Sequence, residues 1–110
     1  MDFFNRNTQR ITITRGDSGM QALRMRINKE VYSLYPGDQI NFGVKKSYAD
    51  KECLIKKTYT TNPFVLAIDP ADTKNLAFGE YVWDLQFVSA NGFTKTLLAK
   101  KDFIVTEEVV

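Results

Sequence analysis

Cys53 is the one thiol in a 110-residue chain that contains no histidine. A thiol or hydroxyl nucleophile needs a partner base, and the usual one is missing, so neither Cys53 nor any serine can join an ordinary nucleophilic pair. Lys51, Lys56 and Lys57 would draw the thiol toward thiolate. The strand read over 53–58, however, makes Cys53 a small, half-buried apolar residue. A single cysteine also rules out a disulfide within the chain, and without histidine the usual zinc ligand set is lacking.

The carboxylates offer the next chemistry. Asp69 and Asp72, three apart, could share a cation, with Asp17 or Asp38 joining from other loops. The reading preferred from the residues is a helix start: Asp69 as N-cap, Pro70 at the first helical position and Asp72 near the positive end of the dipole. No calcium loop and no phosphate-cradling glycine loop is spelled out. Asp84 is expected on the outer face of a strand, as a cross-strand ion-pair partner or an interface contact. Arg15-Gly16-Asp17 matches an integrin-recognition tripeptide, but is read as turn-forming residues. Tyr32, Tyr35, Tyr48 and Tyr59 fall in or near loops, where either a sugar platform or a protein interface is commonly built. The residues therefore point to no catalytic, cofactor or metal site.

These side chains must be positioned by strands. Arg10–Arg15 alternates and is rich in β-branched residues, and Gly16–Gly19 turns the chain. Met20–Ile27 reads as a second strand, with Leu23, Met25 and Ile27 inward and Arg24 and Arg26 outward, although its residue types also suit a helix. Asn28–Glu30 makes a turn, Val31–Leu34 a short extended piece, and Tyr35-Pro36-Gly37-Asp38 a type II turn. Gln39–Lys46 places Ile40, Phe42 and Val44 inward, with Gly43 on the outer face marking a bulge or a close neighbour. After a polar loop, Cys53–Thr58 is an edge-like strand guarded by lysines.

Phe64–Ile68 then leads through a helical turn near residues 70–76 to Gly79 and the central strand. There Tyr81, Trp83, Leu85 and Phe87 share one face, with Val82, Asp84 and Gln86 on the other. Asn91-Gly92 signals a hairpin. Its return strand is Phe93–Leu98, broken at Lys100-Lys101-Asp102, and Phe103–Thr106 closes the fold. Seven to nine short strands with turns between them predict an all-β, immunoglobulin-like antiparallel sandwich over residues 10–108, with a small barrel as the alternative. Leu76-x-x-Gly79-x-Tyr81 resembles a tyrosine corner, and Trp83 stands where an immunoglobulin places its second cysteine. Residues 1–9, with Phe3 and Phe4, are a docking arm, a flap over the core or a frayed end. Phe3, Phe4 and Asp84 are the interface candidates; Asp69, Gly79, Tyr81 and Trp83 are the structural ones.

The totals limit the partners. A net charge of +2, from 15 basic and 13 acidic residues, is spread along the chain, unlike the concentrated basic face that nucleic acid requires. No apolar run reaches membrane-span length and no secretory leader is visible, so synthesis in the cytoplasm without a membrane partner is expected.

With Ile11–Asp17, Tyr35–Lys46, Asp69–Leu76, Gly79–Gln86 and Phe103–Glu108 read out, the chain resembles the small structural proteins of tailed bacteriophages and prophages of Firmicutes. It is similar to the N-terminal domain of phage baseplate upper proteins. Those share "I-T-x-x-R-G-D", "G-D-x-I-x-F-x-V-K-K", "D-P-x-D-T-x-x-L", "G-x-Y-x-x-D-x-Q" and a closing "F-x-I-x-E-E". The resemblance implies an immunoglobulin-like sandwich in a virion, as a tail, baseplate, neck or capsid-associated part. It implies a structural or adaptor role without catalysis and other virion proteins as partners; such a part either self-associates into a homo-oligomer or docks on a tail or capsid ring. From the residues alone, a carbohydrate- or cell-surface-binding module using loop tyrosines stands as the alternative.

Overall fold

The computed structural model describes residues 3–107, without the side chain of Ile27. The acidic tail from Glu108 and the inward placement of Ile27 thus lie outside the described residues, as do Met1 and Asp2. Nine strands and one helical turn are present among the described residues: β1 (Ile11–Thr14), β2 (Gly19–Leu23), β3 (Arg26–Ile27), β4 (Glu30–Val31), β5 (Gln39–Lys45), β6 (Ile55–Tyr59), β7 (Phe64–Ile68), α1 (Pro70–Thr73), β8 (Gly79–Val88) and β9 (Thr94–Thr106). They form an all-β, sandwich-like fold. One sheet runs β1-β9-β8-β5-β6, a two-stranded sheet joins β2 to β7, and a small hairpin joins β3 to β4.

The core follows from alternation. Ile40, Phe42 and Val44 of β5 pair with Phe87, Leu85 and Trp83 of β8, and all six are buried. Phe64, Leu66 and Ile68 of β7 face them from the second sheet. A one-residue slip in either ladder would turn these rows outward, so apolar burial also fixes the register. Trp83 is 1% exposed, with ring centres of Phe42 and Phe4 at 5.4 and 6.3 Å.

The larger sheet is mixed where an antiparallel one was expected, because β1 runs parallel to β9. It must finish beside α1, where Arg15 N–H donates to Thr106 O at 3.0 Å and Gly16 N–H to the buried Thr73 hydroxyl at 2.9 Å. That direction also places Ile11 and Ile13 level with Phe103 and Val105 inside.

Three strand boundaries differ from the sequence reading. The expected strand from Met20 to Ile27 breaks after Leu23, because the Asn62 side chain takes both the N–H and the carbonyl of Met25, at 2.9 and 2.8 Å. The break expected at Lys100–Asp102 is instead two register shifts within one 13-residue strand, β9. At the first, Asp84 faces both Ala99 and Lys100, and Lys100 has a φ of 56°. Cys53 lies in the loop before β6, exposed, where a half-buried strand residue was expected.

Residues 3–9 take the flap reading. Phe4 bridges to Ile11, Phe3 O accepts from Thr12 N–H at 2.9 Å, and Asn5 O accepts from Gln9 N–H at 2.7 Å. This small hairpin carries Phe4 into the core at 8% exposure. It packs against the sandwich, with Phe4 spent on the chain's own interior and Phe3 half-buried beside it.

Candidate functional site

The predicted site residues scatter to structural posts. Tyr81 Oη donates to Ala77 O at 2.7 Å, four residues upstream, which is the tyrosine-corner bond. Trp83 Nε1 donates to Gln9 O at 3.0 Å. Asp69 is the N-cap, with extended backbone at φ −94° and ψ 157°, and its own N–H donates to the Asp72 carboxylate at 2.8 Å. The cation shared by this acidic pair is the ammonium of Lys57, 2.8 Å from Asp72 and 3.4 Å from Asp69. Burial pulls the Lys57 pKa down, but the bond to Asp72 and the charges of Asp72 and Asp69 outweigh it and hold the ammonium above its ordinary value.

Arg15-Gly16-Asp17 is likewise absorbed by the fold. The Arg15 guanidinium donates to Leu76 O at 3.4 Å and lies 4.2 Å over the Phe78 ring. Asp84 makes no ion pair among the described residues. It lines a shallow outer-face groove with Lys45, Cys53, Lys56 and Gln86. Gly43, between Asp84 and Lys56 in the ladder, has its close neighbour there: the Cys53 Sγ lies 3.2 Å from where a Cβ on Gly43 would stand. Among the described residues no three Cys, Asp or Glu side chains gather as metal ligands.

Two of the four loop tyrosines do converge. Tyr32 and Tyr35 meet edge to face at 6.2 Å between ring centres, and Tyr32 meets Phe87 at 5.8 Å in the same manner. Together with Phe93 they line a cleft of about 570 Å³ at one end of the sandwich. Tyr35 and Phe93 are 67% and 59% exposed. Tyr59 stacks on Phe64 elsewhere, and Tyr48 lies apart beneath Lys100.

The mount of this cleft is built from turns. Gln39 pairs with Val88, so the Tyr35–Asp38 turn and the Ser89–Gly92 turn end side by side. Asp38, only 4% exposed, ties them together. Its carboxylate accepts Tyr35 N–H at 2.9 Å and Ala90 N–H at 3.0 Å. Such a doubly bonded buried carboxylate holds both loops without a covalent link. Gly37, at φ 92°, is packed so closely that a Cβ would stand 2.7 Å from that of Ala90. On the far side, Asn62 donates to Tyr32 O and fixes the third segment. Partial burial, then the Asp38 charge and Tyr35, hold the Tyr32 hydroxyl above its ordinary pKa.

Asp38, Asn62 and Phe93 were not singled out for this role by the sequence. The available signal was a turn motif before β5 and another after β8, but their adjacency depends on which strands pair. Comparison of the chain with family models, curated proteins and solved structures returns no match.

Proposed function

We propose that the chain is a non-enzymatic structural or adaptor component of a tailed-phage or prophage virion, working through protein–protein contacts. In this reading it is made in the host cytoplasm and joins other virion proteins in the tail, baseplate, neck or capsid, where it either self-associates or docks on a ring of those proteins. The observation that carries the contact reading is the end cleft. Exposed aromatic rings on a rigid mount are what protein interfaces concentrate at their centres. The virion assignment is supported by the motif resemblance, and the non-enzymatic one by the absence of histidine from the sequence. Immunogold electron microscopy of particles released by the source cells is the test. Labelled particles are expected, and label confined to unassembled protein defeats the reading.

A second reading, a carbohydrate- or cell-surface-binding module, is favoured by one observation: Tyr32 and Tyr35 share the cleft with the polar side chains of Ser89 and Asn91. A glycan array that stays blank, with Tyr35→Ala unchanged in cell binding, removes it.

A further inference from the structure

Resting on the contact reading of the same cleft, we infer that it is the seat of a cationic side chain, an arginine or lysine presented by the docking protein. The first ground is how this chain treats its other exposed rings. Tyr48 and Phe78 are each covered by a cation of the chain itself, Lys100 at 4.7 Å and Arg15 at 4.2 Å from the ring centre. Among the described residues no cation covers Tyr35 or Phe93, the two exposed rings that line the cleft.

Charge gives the second ground. Asp38 lies in the cleft wall, buried and bonded to two backbone N–H groups. It has no ion-pair partner among the described residues. A buried carboxylate behind aromatic faces, whose quadrupoles are also negative, makes a site complementary to positive charge. A neutral sugar can stack on the rings and an aliphatic side chain can pack on them, but neither brings a positive charge to meet the carboxylate. Arginine suits best, because its plane stacks on a ring while its edge still donates.

The test uses the full chain, isotope-labelled for NMR and titrated separately with N-acetyl-arginine amide, N-acetyl-lysine amide, N-acetyl-leucine amide and N-acetylglucosamine. The backbone signals of Tyr35, Ala90 and Phe93 are expected to move with the arginine and lysine probes, and far less with the others. Replacing the rings by Tyr35→Leu and Phe93→Leu keeps apolar area but removes the π faces, and should weaken arginine binding about 5-fold or more. The indole signal of Trp83, in the core, reports that each variant is folded. Equal binding of the leucine probe, tighter binding of the sugar, or no movement with either cation overturns the inference. Because the contact reading is tested on particles, labelled particles together with an unresponsive cleft would overturn this inference alone.

Discussion

Tyr81 and Gly37 show how single atoms set the frame. The Tyr81 hydroxyl bonds a backbone oxygen at the start of β8. Tyr81→Phe leaves the packed ring in place and removes that bond, so the expected loss is about 1 kcal/mol in a urea melt. Gly37 stands at φ 92° against Ala90. Gly37→Ala adds left-handed strain and a contact that must be relieved, costing about 1–2 kcal/mol or more, and it should broaden the Ala90 amide signal by loosening the Asp38 latch. Lys57 gives a pH effect whose sign is fixed. Its folded pKa is raised above the ordinary 10.5, so its contribution is full below that value and is lost as pH climbs through the folded value. The stability difference between the parent chain and Lys57→Met should therefore shrink above pH 10.5, as read from urea midpoints in neutral and alkaline buffer.

Among elements, what the sequence revealed is what burial on one face enforces. β5, β7 and β8 each repeat large apolar residues every second position, and each lies where that pattern places it. The tyrosine corner was legible because its residues are close in sequence. The break in β2 was not, because it depends on Asn62, 37 residues from Met25. The cleft was hidden for the same reason, since its parts meet only once β5 and β8 pair. The motifs behind the virion resemblance are largely turn locks: Arg15 and Gly16 of one bond Leu76 and Thr73 of another. Residue types also misled at β9. Lys100-Lys101-Asp102 looked like the end of a strand, but the ladder continues through a bulge that sets Lys100 at φ 56°. Glycine tolerates that conformation best, so Lys100→Gly should be more stable than Lys100→Ala by about 1 kcal/mol. This reverses the order expected inside a regular strand, and equal melting of the two variants would count against the bulge.

At the scale of the whole molecule, a five-stranded sheet is set against a sheet of only two strands. So small a partner leaves part of the larger sheet to be covered by other means, and the flap supplies one cover. It lines the outer side of β1, seats Phe4 near Trp83 and gives the indole its acceptor on Gln9. Removing a buried phenylalanine side chain costs about 3 kcal/mol, and leaving the indole N–H without its acceptor adds about 1 kcal/mol. A chain lacking residues 1–9 should thus lose about 4 kcal/mol, a substantial part of the margin of a small domain whose total is about 5–15 kcal/mol. Phe4→Ala in the full chain should lose the first part alone. Urea melts of both would separate the two terms, and tryptophan emission should shift to longer wavelength in the truncated chain as water reaches Trp83. The truncated chain should also associate more readily, because the β1 backbone it exposes is an open strand edge. A truncated chain as stable as the parent, with unshifted emission, would mean that the flap rests on the core without supporting it.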